Sequence, residues 1–237
     1  MPTVEVCLSP ALLHLTHTAG KTVVIIDVFR ATSTIAAALH NGAMEIIPVA
    51  TVEEAIAIGK ETPNSLTAGE RDGKVAAGLQ YGNSPAEYPG EFISGKTLVL
   101  TTTNGTKLLH MVQDAAQIVT GAFLNLSALS SYLLQQGNDV VLGCAAWKDK
   151  FNLEDTVFAG ALAKRLLAGG YTTTDDATRC AIYLDQQASG NYARFLRDSS
   201  HYHRLAAYGL ERDLVYCSTP DLHPVVPVLD GKRLVTS

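Results

Sequence analysis

A basic excess is missing: 18 Lys and Arg stand against 23 Asp and Glu, for a net charge of -5. Nucleic-acid binding draws on a cationic face that releases counterions, so no nucleic-acid partner is expected. Paired cysteines are missing as well. Cys7, Cys144, Cys180 and Cys217 form no C-x-x-C pair. That argues against a zinc site or a disulfide framework and for reduced thiols in a cytoplasm. Cys144 ends an apolar run and reads as a buried small hydrophobe rather than a nucleophile. No apolar run approaches the roughly 20 residues that span a bilayer, so no membrane partner is expected. The opening MPTVEVCLSPALLHLTH shows no basic leader before an apolar stretch, and no signal peptide is expected. Low-complexity segments and blocks of like charge are absent too. Charged residues make up only 17% and hydrophobic ones 47%, a balance that builds a core rather than a disordered chain.

What is present is a recurring unit of apolar run, polar loop and helix-like stretch. In TVVIIDVFRATSTIAAALHNGA, Val23–Ile26 reads as a strand covered on both faces. Thr32, Ser33 and Thr34 read as N-cap candidates for the helix that follows, which ends at Asn41-Gly42. In TLVLTTTNGTKLLHMV, Leu98–Thr101 is the strand and Thr106 opens a helix. In NDVVLGCAAWKDKFNLEDTVFAGALAKRLLAGG, Val140–Cys144 is the strand. Asn152 is the expected N-cap there, with Asp155 three positions on in a capping-box spacing. Two further units are read at Ala43–Val49 with Thr51–Lys60, and at Ala115–Thr120 with Ser127–Gly137. Strands alternating with helices predict an α/β fold, a three-layer α/β/α arrangement around a mostly parallel sheet. One domain over residues 1–237 is expected. The likeness of the first and third units is compatible with two similar lobes meeting near residue 125, and with a homo-oligomer. The tail is read as helical pieces, then Leu214–Cys217, then the extended PVVPVL. His201 and His203, two apart, do not share a helix face and read as surface histidines.

Residues 90–97, GEFISGKT, match the phosphate-binding loop G-x-x-x-x-G-K-T letter for letter. Such a loop must follow a strand and open a helix. Here it follows the proline-containing NSPAEYPG and precedes the strand-like LVLTTT, so the match is read as chance, with a turn at Ser94-Gly95. No strand is followed by G-x-G-x-x-G, which removes the dehydrogenase reading.

Ligands in parallel α/β sheets bind beyond the carboxyl ends of the strands. Asp27, Arg30, Thr32 and Ser33 follow the first strand. Thr102, Thr103, Asn104, Gly105 and Thr106 follow the second, and Lys148, Glu154 and Asp155 the third. Carboxylates, cations, hydroxyls and helix-start amides on one edge suit a phosphate ester and a hard metal ion. Each also has a structural reading as a cap, a pair or a dipole-favoured acid. The glycine-rich AGERDGKVAAGLQYGNSPAEYPG lacks periodicity and reads as a functional loop.

DVFRATSTI, GER, GNSPAEY, TTTNGT and FNLEDTVFAG occur in an order and wording that resemble the 2-phosphosulfolactate phosphatase family. The resemblance runs from about residue 20 to 165, and the tail DLVYCSTPDLHPVVPVL is similar as well. It implies a Mg²⁺-dependent phosphatase that converts 2-phosphosulfolactate to 3-sulfolactate in coenzyme M biosynthesis. Carried over by motif, it points to Asp27, Arg30, Glu70, Arg71, Asn83, Ser84, Thr103, Asn104, Gly105, Thr106, Glu154 and Asp155. The expected metal set is Asp27 with Glu154, Asp155 and Glu70. Arg30 and the amides of Asn104–Thr106 are expected on the phosphate, and Arg71 with Lys148 on the substrate's sulfonate and carboxylate. The attacking group is left open between a metal-activated water and Asp27 itself. Asp27-Val28-Phe29 lacks the second acid of the D-x-D motif of haloacid dehalogenase phosphatases. AWKDK, at residues 146–150, is bulkier and more charged than the glycine-rich turn expected there, which leaves the choice of ester open. A phosphatase for another small acid, and a non-catalytic phosphometabolite sensor, remain as alternatives.

Overall fold

A computed structural model describes residues 1–71, 74–102 and 105–237, with Thr106 described by its backbone alone. The strands are β1 (Val4–Cys7), β2 (Thr22–Ile26), β3 (Glu45–Val49), β4 (Ser65–Arg71), β5 (Lys74–Val75), β6 (Thr97–Thr101), β7 (Gln117–Gly121), β8 (Val140–Cys144), β9 (Pro227–Asp230) and β10 (Arg233–Thr236). The α-helices are α1 (Ala31–His40), α2 (Val52–Glu61), α3 (Gly90–Ile93), α4 (Gly105–Met111), α5 (Leu126–Gln136), α6 (Leu153–Ala168), α7 (Asp176–Ala188), α8 (Tyr192–Phe195), α9 (Ser200–Ala206) and α10 (Glu211–Cys217).

The continuous apolar runs become fully buried strands: every residue of β2, β6 and β8 is buried. Their two faces meet different helices, as the two-residue period requires. Val24, Ile26 and Leu142 pack with Leu129, Phe158 and Leu162 of α5 and α6. Val23, Ile25 and Val141 pack with Leu108 and Leu109 of α4 on the opposite side. Farther along the sheet, α1 covers Ile46, Leu98 and Leu100, while Ala55 of α2 covers Val49 and Val99. The expected three-layer α/β arrangement with a mostly parallel sheet is therefore what forms.

The strand order is β1-β8-β2-β7-β9-β10-β3-β6-β4-β5. Pairs β1–β8, β8–β2, β2–β7, β3–β6 and β6–β4 are parallel. The hairpin β9–β10 lies between two parallel halves, antiparallel to both neighbours. β7 precedes residue 125 and β8 follows it, yet both flank β2 in this one sheet.

Several local expectations change. Thr32, Ser33 and Thr34 lie inside α1, whose N-cap residue is Arg30. Asn152 is the N-cap of α6 as expected, but its side chain makes no capping hydrogen bond, and Asp155 takes the Val28 and Ala146 amides instead of closing a capping box. Leu214–Cys217 forms the second half of α10, whose start is favoured by Glu211 and Asp213. GEFISGKT forms α3, a turn at Gly95 with φ of 72°, and the start of β6. Its Lys96 ammonium donates to the Phe92 carbonyl and lies over the Phe92 ring, so it is spent within its own turn. Among the described residues, no helix is long and apolar enough to cross a membrane.

Candidate active site

Strand ends align by register within each half of the sheet. The two halves run in opposite directions, because three successive antiparallel pairings separate β7 from β3, which corrects the expectation of one shared edge. Ile26 of β2 pairs with Cys144 of β8, so Asp27 and the 145–152 loop leave the sheet side by side. On the other half, Gly69 of β4 pairs with Thr101 of β6, which brings Glu70 and Thr102 to the same end of that half.

Asp27 is buried, 8% exposed. Its backbone is locked to α1: Thr32 Oγ1 accepts from the Asp27 amide at 3.1 Å, and the Thr32 amide donates to the Asp27 carbonyl at 3.0 Å. Gly105 opens α4 against the carboxylate. A Cβ there would lie 2.9 Å from Asp27 Oδ2, so only glycine lets the helix come this close. Burial pushes the Asp27 carboxyl up to about 6; His201 opposes this, Glu70 and Glu154 add to it, and the Ala31 amide again opposes.

Glu154 and Asp155 both sit in the first turn of α6, and their tasks differ. Asp155 Oδ1 accepts from the Val28 amide at 2.9 Å and Oδ2 from the Ala146 amide at 3.1 Å. It staples the loops after β2 and β8 together. Burial, then Glu154 and Asp27, push its carboxyl well above the ordinary range, against those two amides. Glu154 has no exposed surface. Its Oε1 meets His201 Nδ1 at 2.5 Å, while Oε2 is buried with no hydrogen-bond partner.

Two groups arrive from the C-terminal helices. His201, on α9, is buried against Glu154 and stands edge-on to Phe29, with ring centroids 6.0 Å apart. This corrects its reading as a surface histidine. His203 does face solvent, as the two-residue offset requires. Asp213, on α10, accepts from Arg30 Nη1 at 2.5 Å with one oxygen and from Ser84 Oγ at 2.9 Å with the other. Arg30 is thereby held buried, with further N–H donors in hand.

The remaining expected residues divide. The Ser33 hydroxyl donates to the Val28 carbonyl and helps shape the loop from beneath. Ser84 caps a short turn with Glu87 in a capping box, beyond its bond to Asp213. Asn83 is buried; its carbonyl accepts from Thr34 Oγ1 while its Oδ1 has no partner. Arg71 is exposed and donates to the Glu70 carbonyl. Lys148 is exposed, with its ammonium 4.5 Å from the Trp147 ring centroid. Thr103 and Asn104 lie outside the described residues, as does the Thr106 side chain. Cys144 is fully buried, and burial pushes its thiol well above the ordinary range, so no thiolate is at hand.

Among the described residues, no three His, Cys, Asp or Glu side chains form a ready metal cage. Mg²⁺ asks for less: one or two carboxylates, with water and phosphate oxygens completing its shell. The unpartnered Glu154 Oε2 and the crowded Asp27 carboxylate have that donor chemistry. Asp155 already accepts one backbone amide on each oxygen, so a metal there would share an oxygen with a backbone donor.

A buried edge with clustered carboxylates, a fixed guanidinium and an acid–imidazole pair suits phosphate ester chemistry. Comparison with known proteins agrees. A family model described as 2-phosphosulpholactate phosphatase matches residues 7–232. A probable 2-phosphosulfolactate phosphatase of Thermotoga petrophila is 44% identical over 209 residues, 88% of this chain and 89% of the relative. One of Thermotoga maritima is 43% identical over the same shares. One of Caldanaerobacter subterraneus is 38% identical over 219 residues, 92% of this chain and 91% of the relative. With a matching model over nearly its whole length and relatives this similar, the chain belongs to the 2-phosphosulpholactate phosphatase family.

Proposed function

We propose that the protein is a Mg²⁺-dependent phosphatase that hydrolyses 2-phosphosulfolactate to 3-sulfolactate and phosphate, in the service of coenzyme M biosynthesis. The observation that carries this reading is the buried Asp27 carboxylate at the end of β2, raised to about 6 and ringed by Glu154, His201 and Glu70. A buried carboxyl raised by neighbouring acids marks a repulsion that a bound divalent cation would relieve, so metal and protons should compete there. Asp27 and Glu154, with Glu70, are the residues that would hold Mg²⁺. When bound, it supplies positive charge against the phosphate oxygens.

The chain's own groups then divide the work. Arg30, fixed by Asp213, directs its remaining donors to the phosphate in the fork geometry that guanidinium gives. The amide end of α4 adds donors on the same side, kept close by Gly105. Water adds to phosphorus, the bond from phosphorus to the C2 oxygen breaks, the departing alkoxide takes a proton, and a proton from the added water returns to the donor. The Glu154–His201 pair holds a proton next to Asp27 and is placed to supply it. Burial strengthens each of these charge interactions relative to water.

The test is phosphate release from 2-phosphosulfolactate with Mg²⁺ and with EDTA, beside ATP and a panel of small phosphorylated acids. Rapid, EDTA-sensitive release from phosphosulfolactate is expected. Release from another ester alone would keep the phosphatase and discard this substrate. Binding without release from any ester would replace the enzyme with a sensor.

A further inference from the structure

The turn after β8 and the face of α9 meet at Trp147. The Arg204 guanidinium lies over its ring, 3.8 Å from the centroid, and the Lys148 ammonium over the same ring at 4.5 Å. Arg204 follows His201 by three positions on α9, so the two share a helix face. The face that delivers His201 to Glu154 therefore delivers Arg204 to the rim of the same site. Neither cation has an ion-pair partner among the described residues; the nearby Asp149 carboxylate is committed to Lys107, at 2.8 and 2.9 Å. Arg204 Nη2 is buried with no hydrogen-bond partner. Burial holds this guanidinium below its ordinary range, while Glu154 and Tyr208 act the other way. A buried, unpaired donor on a cation is costly, and two cations on one indole repel each other. The loop adds strain: Ala146, Lys148 and Asp149 all have positive φ, at 58°, 51° and 62°. Non-glycine residues hold that conformation at a cost, and such positions cluster where ligands are gripped.

We propose that Arg204, flanked by Trp147 and Lys148, is the subsite for the sulfonate of the substrate and so determines the choice of ester. This rests on the phosphatase reading above and deepens it. A sulfonate stays ionised at any physiological pH, and its oxygens match a guanidinium fork. The weak hydration of guanidinium suits a half-covered site against an indole better than an ammonium would.

The experiment compares steady-state kinetics on 2-phosphosulfolactate with those on 2-phospholactate, the same skeleton without the sulfonate. Wild type is expected to prefer the sulfonated ester. Arg204→Ala should raise its KM about 10- to 100-fold, the scale of a lost charge-assisted hydrogen bond, with a smaller change in kcat. The loss on the sulfonated ester should exceed any loss on 2-phospholactate by at least about tenfold. Arg204→Lys should recover part of the preference, because the charge stays while the fork is lost. Lys148→Ala should weaken it in the same direction and by less. Equal losses on both esters, or no loss on either, would overturn the subsite and leave the phosphatase standing. So would a wild type that favours 2-phospholactate. Release from neither ester by wild type would overturn the proposed function and the subsite with it.

Discussion

Asp27 illustrates how a buried carboxylate weakens the fold that holds it. Its folded carboxyl titrates near 6, against an ordinary 3.8. A carboxyl raised on folding binds its proton more tightly in the folded state, so ionising it removes stability as pH rises from about 4 to about 6. The penalty at neutral pH is on the order of 3 kcal/mol. In EDTA, Asp27→Asn should therefore melt higher than wild type at pH 7.5 and no higher at pH 4. Its turnover should fall by several orders of magnitude; near-normal turnover would remove Asp27 from the mechanism. Gly105 makes the complementary point. Gly105→Ala places a methyl 2.9 Å from Asp27 Oδ2, and a displaced reacting group costs on the order of 100-fold in rate. That loss should appear in kcat while the circular dichroism spectrum is unchanged. His201→Ala would leave both Glu154 oxygens without a partner. Removing one member of a buried pair costs about 3–5 kcal/mol, measurable by urea denaturation.

At the scale of elements, α6 is the part that connects core to site. Its first turn carries Glu154 and Asp155, and its body is buried against β2, β8 and α7. Gly160 sets the α6–α7 distance: a Cβ there would lie 2.0 Å from the Ala181 carbonyl oxygen. Gly160→Ala must push α7 away, with an expected loss of about 1–3 kcal/mol or more in urea denaturation and a parallel loss of activity. Five strands and the helices that follow them were legible in the sequence as β-branched apolar runs followed by polar loops; β1 and β4 were not, β4 because its second half, AGER, was read as part of a glycine-rich loop. Val140–Cys144 matches to the residue, and the other runs shift by one or two positions. Asp27, Arg30, Glu154 and Asp155 were legible too, as polar groups at strand ends. Their division of labour was not. Whether an acid takes backbone amides, like Asp155, or an imidazole, like Glu154, depends on which loops meet in space. His201 and Asp213 come from 47 and 183 residues away from their partners. A trace of His201 did exist: it stands four before the apolar Leu205, and both are buried on one face of α9. Reading HYH as a pair of histidines concealed it.

For the whole molecule, the β9–β10 hairpin matters most. The final strands insert between β7 and β3 and join two parallel halves into one sheet. Leu234 is fully buried there against Ile46, and Val225 and Leu229 pack into the same cluster. Deleting residues 227–237 would leave the facing edges of β7 and β3 unpaired, and such edges associate with one another. The truncated chain should elute as aggregate in size-exclusion chromatography and lose cooperative unfolding. The helices just before the hairpin carry His201 to Glu154 and Asp213 to Arg30, residues far from them along the chain.

The most direct test of the central claim is phosphate release from 2-phosphosulfolactate by the wild-type protein and by Asp27→Asn, each with Mg²⁺ and with EDTA. Rapid release by wild type with Mg²⁺ is expected, with a fall of several orders of magnitude on adding EDTA or making the substitution. Wild-type release that is absent, or equal rates from wild type and Asp27→Asn, would contradict that claim.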